Sequence, residues 1–413
     1  MPDPAPLPRL AEPALRDALS DTPVVLVHGP RQCGKTTLAL KVGRRMRFDY
    51  VNLDDSQTRR AAQDDPAGFV ARLPERVIID EVQRAPEIFL PLKVEVDRRR
   101  TPGRFLLTGS ANVLLLPKMT DSLAGRMGSI RLHPLAQCEI ARREPTFLRA
   151  LMRGEFAMRP SRRLGEELAE RVAAGGFPAA LARRKGARRR QWYKDYVDAL
   201  VQRDVRDMAH ISSLGTMPKL LKLAASQTAR MINVSELAAP FQLSRPAIRD
   251  YLTLLERIFV LDELAPWHSN RLKRLVKTPK LHVADTGLAC ALLGLSADGL
   301  WEDRALLGQM LETFVYGELQ RQSAAAEDGV EFSHYRDKDG AEVDIVLEHS
   351  GTRISGVEVK ASSTVHPSDF RGLRRLREAS GTRFVCGVVL YDGEVAAGFG
   401  DGMFAVPISH LWG

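Results

Sequence analysis

The stretch Val24–Leu40, VVLVHGPRQCGKTTLAL, limits the fold of this chain more than any other part of it. A β-branched apolar run meets a Gly-bounded loop, and Lys-Thr-Thr then opens an apolar-periodic helix. Gly29, Pro30, Arg31, Gln32, Cys33, Gly34, Lys35 and Thr36 match G-x-x-x-x-G-K-[ST], with Thr37 next. The glycines allow a tight turn and close backbone approach, so N–H groups and the helix N-terminus face phosphate oxygens. Lys35 is spaced to reach the β- and γ-phosphates of ATP, and the Thr36 hydroxyl to ligate Mg²⁺.

Further short apolar runs follow at Phe48–Leu53, Arg76–Asp80, Arg104–Thr108 and Ser129–His133, with helical segments between them. This alternation predicts an α/β domain: a parallel sheet covered on both faces. In RVIIDEVQ, Asp80 falls at a strand's C-terminal end, where open α/β sheets bind ligands. There it can hold Mg²⁺ through water, and Glu81 can orient or deprotonate the attacking water. In RFLLTGSAN, Ser110 or Asn112 is the candidate sensor of the γ-phosphate; capping of a following helix is the other use for either. In SLAGRMGSIRLHPL, Arg126 precedes the last strand. It is either a neighbour-reaching arginine finger or a helix C-terminal Arg favouring the dipole.

Together these motifs resemble the AAA-type ATPase domain of a prokaryotic family whose members also carry a C-terminal domain of unknown function. The resemblance runs on through GGFPAAL (Gly175–Leu181), YVDALVQRDV (Tyr196–Val205) and VADTGLACALLG (Val283–Gly294), so it covers most of the chain. It implies a five-stranded parallel AAA sheet and a homo-oligomer with a shared ATP site. No clear sensor-two arginine is visible, which leaves the lid geometry open.

At 413 residues the chain is long enough for roughly two or three domains. The net charge is 60 − 51 = +9 and rich in Arg, which suits contact with a polyanion such as DNA without specifying one. Cys33, Cys138, Cys290 and Cys386 form no CxxC, which disfavours zinc and disulfides and fits a reducing cytoplasm. No apolar run is long enough to span a membrane, and MPDPAPLPRL has no signal-like core.

Past the ATPase core (21–140, after a lead-in at 1–20), residues 141–230 read as a helical linker or lid. Its basic run Ala182–Arg190 is a solvated face or a phosphate-backbone contact. Residues 231–300 read as a winged-helix-like domain. Asn233 or Ser235 caps a short helix, and Ser244 caps a second one with Pro246 in its first turn. Ile248, Leu252, Leu255 and Phe259 make the buried stripe, and Arg245 and Arg249 project where recognition helices touch DNA. FVLDELAPW and KTPKLHVAD are candidate wing strands.

In residues 301–413, Gly308–Gln322 reads as an amphipathic helix, and strands flank the Asp339-Gly340 turn. Glu358 and Lys360 share a strand face, and Asp344 sits mid-strand, where a charge calls for a partner or a metal. Glu312, Asp344, Glu358 and Lys360 in this order resemble the PD-(D/E)xK nuclease superfamily, with Glu318 and Glu342 as rival carboxylates. The resemblance implies a second Mg²⁺ or Mn²⁺ on the carboxylates and a water positioned by the lysine. The resulting expectation is a cytoplasmic Mg²⁺-dependent ATPase coupled to a DNA-binding, nuclease-like module. Its alternatives are an ATP-regulated nuclease of a defence or toxin system, and an ATPase whose C-terminal region binds protein without cutting.

Overall fold

The computed structural model describes residues 7–110, 123–202, 214–241, 243–270, 278–324 and 329–413. Two compact units emerge: Met1–Leu135 with Arg257–Phe259, and the rest of Ala136–Gly413.

The first unit is built on five parallel strands: β1 (Val24–His28), β2 (Asp49–Asn52), β3 (Val77–Asp80), β4 (Phe105–Gly109) and β5 (Met127–Arg131). Their order is β2-β3-β4-β1-β5. Every residue of β1, β3 and β4 is buried, because alternate side chains feed two separate cores. Val24, Leu26, Val77, Ile79, Phe105 and Leu107 pack with Phe89, Leu92 and Val96 on one face. Val25, Val27, Ile78 and Leu106 pack with Leu15, Leu19, Leu38 and Val42 on the other. The last strand starts at Met127, two residues before the expected Ser129, because it pairs with β1 along its full length, from Val24↔Met127 to His28↔Arg131. All strands run the same way, so the residues that follow β1, β3 and β4 meet along one edge of the sheet.

The second unit contains two sheets. The smaller joins β6 (Arg230–Met231), β7 (Leu261–Leu264) and β8 (Lys280–Val283) in the antiparallel order β6-β8-β7. Helices Met217–Ser226, Val234–Ala238 and Arg245–Arg257 accompany it. Asn233 caps the second of these helices, and Ser244 Oγ accepts the Ala247 N–H (3.3 Å) at the start of the third. Ile248, Leu252, Leu255 and Phe259 are all buried as the stripe predicts, but Phe259 lies beyond the helix at φ +60°, where a helix cannot continue.

The larger sheet has β9 (Val330–Arg336), β10 (Glu342–His349), β11 (Arg353–Lys360), β12 (Phe384–Tyr391), β13 (Ala397–Gly398) and β14 (Met403–Pro407), ordered β13-β14-β12-β11-β10-β9. β9, β10 and β11 are antiparallel, while β11, β12 and β14 are parallel. Helix Arg371–Ser380 links β11 to β12 and buries Leu373 and Leu376 against Val343, Val346 and Val389. Helix Arg304–Ser323 is not amphipathic as the sequence pattern suggests. Leu307, Met310, Phe314 and Leu319 are buried, and so are Thr313, Glu318, Arg321 and Gln322.

Two of those buried groups, Glu318 and Arg321, belong to one network. Arg321 bridges Glu318 (2.8 Å) and Asp285 (3.4 Å), and Glu318 also accepts the Gln137 N–H (2.8 Å). Asp285 accepts from Tyr193 Oη (3.0 Å) and the N–H groups of Gly176 (2.8 Å), Gly287 (3.0 Å) and Leu288 (3.2 Å). Burial raises the Asp285 pKa despite Arg321 beside it. The GGFP and ADTG segments therefore meet. Gly175, at φ +65°, has no room for a side chain: a Cβ there would lie 2.1 Å from Asp285 Oδ1. Glu318 belongs to this network and not to the carboxylate cluster for which it is a rival.

Candidate functional site

The loop after β1 wraps the start of helix Lys35–Met46. Gly29 has φ +149°, and a Cβ on it would fall 2.1 Å from Leu132 O, so only glycine lets the loop close there. Cys33 is buried with its thiol directed at Leu132 O (3.3 Å), and Thr37 is exposed in the first turn of the helix. The Lys35 ammonium donates to the carbonyls of Gly29 (3.0 Å) and Pro30 (2.8 Å), inside the loop. Arg9, which the motif reading missed, clamps the outside by donating to Cys33 O (2.7 Å) and His133 O (2.6 Å).

Asp80 ends β3 and is buried beside Thr36, whose hydroxyl lies 3.0 and 3.1 Å from its two carboxylate oxygens. Tyr50 Oη (2.8 Å) and Thr108 Oγ1 also donate to Asp80. Burial, then Asp80, raises the Tyr50 pKa, so the phenol keeps its proton and remains a donor. Thr36 and Asp80 present hard oxygens side by side, a donor set that fits Mg²⁺ held with a nucleotide's phosphates.

Glu81 follows in the left-handed region at φ +57°. Its N–H bonds Thr108 Oγ1 (3.2 Å), and its Oε2 accepts from Ser110 Oγ (2.9 Å). Gln83 donates to both Ser110 Oγ (2.8 Å) and Glu81. Ser110 thus acts on Glu81, and Asn112 lies outside the described residues. The one sequence signal for Gln83 is its place two residues past Glu81 in IIDEVQ. His28, just before the loop, has its pKa lowered to about 4, by burial first and then by Arg131 and Lys35.

The fold does not bring Arg126 to this edge. It stands immediately before β5, and the sheet is parallel, so about 16 Å of strand separates it from the loop edge. Its guanidinium grips Asp97 through Nε (2.5 Å) and Nη2 (2.9 Å), a two-point pairing at the opposite edge.

In the second unit, Glu312, Asp344, Glu358 and Lys360 do gather, around a residue that the sequence did not single out. Lys280 Nζ, only 2% exposed on its side chain, bonds Glu312 Oε1 (2.8 Å), Glu342 Oε1 (2.6 Å) and Asp344 Oδ1 (3.3 Å). Burial disfavours its charge, but Asp344, Glu312 and Glu342 outweigh that and hold its pKa above the lysine range. Burial, then Asp344, pushes Glu312 well up and Glu358 up to about 8. Asp344 Oδ2 accepts the Val359 N–H (3.0 Å), and Lys360 pairs with Glu358 Oε1 (2.8 Å). Among the described residues, no three His, Cys, Asp or Glu side chains form a cage able to hold a metal. The expected second Mg²⁺ or Mn²⁺ therefore does not fit this arrangement, because its carboxylates converge on an ammonium. Arg245 and Arg249 are exposed near the start of their helix, and Arg249 makes a 3.4 Å contact with Glu263.

Comparison with family models matches residues 21–141 to an AAA domain. Residues 165–299 and 307–411 match two domains of unknown function, DUF8612 and DUF4143. With its five parallel strands and loop geometry, the first unit is a P-loop ATPase domain of the AAA type. Uncharacterized protein Rv2008c of Mycobacterium tuberculosis is 32% identical over 408 residues, which is 98% of this chain and 84% of that protein. Uncharacterized protein Mb2031c of Mycobacterium bovis gives the same figures. The chain belongs to the family of these two mycobacterial proteins.

Among solved structures, the Walker-type ATPase PABY2304 of Pyrococcus abyssi has 16% identity and a TM-score of 0.43, over 68% of this chain and 94% of that one. The RuvB Holliday junction branch migration motor of Thermotoga maritima has 16% identity and a TM-score of 0.30, over 61% and 88%. Among the described residues, no helix is long and apolar enough to cross a membrane.

Proposed function

We propose that the first unit hydrolyses ATP with Mg²⁺. The observation that carries this reading is the pair of adjoining networks at one sheet edge: Thr36 with Asp80, and Glu81 with Ser110 and Gln83. Lys35 and the loop N–H groups bind the phosphates, and Thr36 and Asp80 hold the ion. When bound, Mg²⁺ neutralises charge on the β- and γ-phosphates. Glu81 accepts a proton from, or orients, the water that attacks the γ-phosphate. Ser110 and Gln83 fix the direction of its carboxylate, and Thr108 fixes its backbone. Arg126 is too far from its own loop edge, so it serves the site of a neighbouring copy in a homo-oligomer. The test is phosphate release from Mg²⁺–ATP by the full chain and by Lys35→Ala. Equal rates would refute the reading.

The second unit is read as a DNA-binding module derived from a nuclease fold. The order helix, strand, two helices and two strands over Met217–Val283 supports a winged helix, which puts Arg245 and Arg249 on its outer face. The order helix, three antiparallel strands, helix and parallel strand, together with Glu358-x-Lys360, supports the nuclease-like origin. DNA affinity that falls with salt, and falls again in Arg245→Ala/Arg249→Ala, is the expected result. Affinity unchanged by the double substitution would remove the DNA contact from this helix.

A further inference from the structure

We infer that Lys280 is the resident cation of the C-terminal carboxylate site, and that the site takes no Mg²⁺ or Mn²⁺ while this lysine is there. An ammonium has three N–H donors, and the three carboxylates around Lys280 supply three acceptors at 2.6–3.3 Å. The ammonium is therefore fully engaged by the carboxylates that meet around it.

The lysine is also pinned at its base. β8 lies between β6 and β7, so its backbone is paired on both sides. Further along β8, His282 Nδ1 meets Thr313 Oγ1 at 3.0 Å, and Asp285 beyond it meets Arg321 at 3.4 Å. The strand is thus joined to helix Arg304–Ser323 at three levels: Glu312, Thr313 and Arg321.

The other oxygens are spent in ways that do not assemble a metal shell. Asp344 Oδ2 is held by the Val359 N–H, and Glu358 Oε1 by Lys360. Glu358 Oε2 is buried with no hydrogen-bond partner among the described residues. A hard divalent ion needs about six oxygens close in, and a monovalent ammonium already occupies the point where these carboxylates meet. A site filled this way does not generate a metal-bound nucleophile, and Lys360 is paired with Glu358. The cluster acts instead as an ion-paired joint between β8, β10 and helix Arg304–Ser323. This inference rests on the nuclease-like reading of the unit and not on the ATPase reading.

The test is calorimetric titration of MnCl₂ into the nucleotide-free full chain. Lys280→Met should bind about one Mn²⁺ more per chain than the wild type, through the carboxylates that the lysine otherwise holds, Glu312, Glu342 and Asp344. Adding Asp344→Asn to it should abolish the gain. Equal uptake by the wild type and Lys280→Met would overturn the inference. The wild type tests it independently of any lysine variant: its Mn²⁺ uptake should be unchanged by Asp344→Asn. An uptake lost in Asp344→Asn, or Mn²⁺-dependent DNA cleavage lost in Lys360→Ala, would show a metal in the native site and overturn it. The nuclease-like reading fails separately, if Lys280→Met gains a metal that Asp344→Asn does not remove.

Discussion

Replacing Asp285 by Asn is a near-isosteric change with a cost that follows from the contacts. Asp285 is 1% exposed, and its two oxygens split the work. Oδ1 accepts from Tyr193, Gly287 and Leu288, while Oδ2 accepts from Gly176 N and Arg321 Nη2. An asparagine can keep its oxygen at the first position only by turning its NH₂ toward Gly176 N–H and Arg321, donor against donor. Breaking a buried pair costs about 3–5 kcal/mol. Arg321 keeps its 2.8 Å contact with Glu318, so the lower end applies, about 3 kcal/mol. For a unit of this size that is a fall in Tm of about 6–12 °C. All four tryptophans, Trp192, Trp267, Trp301 and Trp412, lie in the second unit, so their fluorescence during urea unfolding reports on it alone. Asp285→Ala should cost more than Asp285→Asn, because it leaves every donor unmet. A loss under about 1 kcal/mol for Asn would mean that the network is not what joins these segments.

Three further outcomes are expected. His28 holds its proton less well folded (about 4) than unfolded (6.5), so its contribution to stability is complete above pH 6.5 and shrinks as pH falls toward 4. The decline amounts to about 3 kcal/mol, and His28→Gln should flatten it in urea titrations followed by circular dichroism; an unchanged slope would assign the effect elsewhere. Gly29→Ala forces a Cβ onto Leu132 O and should cost on the order of 3 kcal/mol together with most ATP affinity, read by denaturation and nucleotide titration; wild-type values would contradict the loop geometry. Arg126→Ala should slow turnover by about 10³-fold, and mixing it with Lys35→Ala should restore part of the activity. Strict absence of recovery would remove the shared site.

The first unit was largely legible because strands buried on both faces appear as unbroken apolar runs, and β1, β3 and β4 are of that kind. Asp80 and Glu81 were legible for the same reason, as carboxylates closing such a run. Arg126 was legible as a residue but not as a position, since its edge follows from strand direction. Lys280 was hidden: a lysine in a four-residue strand looks like a solvent-facing charge, and Glu312 and Asp344 lie 32 and 64 residues away. Asp285 stood in a recognisable motif with no visible chemistry, because Gly176 is 109 residues distant. The pattern of helix Arg304–Ser323 misled because buried charges with buried partners look like a polar face.

The central claim is that Glu81 acts on the attacking water while Thr36, Asp80 and Lys35 bind Mg²⁺–ATP. It is tested most directly by measuring nucleotide affinity and phosphate release together in Glu81→Gln. Affinity should stay within about threefold of wild type while release slows by about 10²- to 10⁴-fold. Release at the wild-type rate, or a loss confined to affinity, would contradict it.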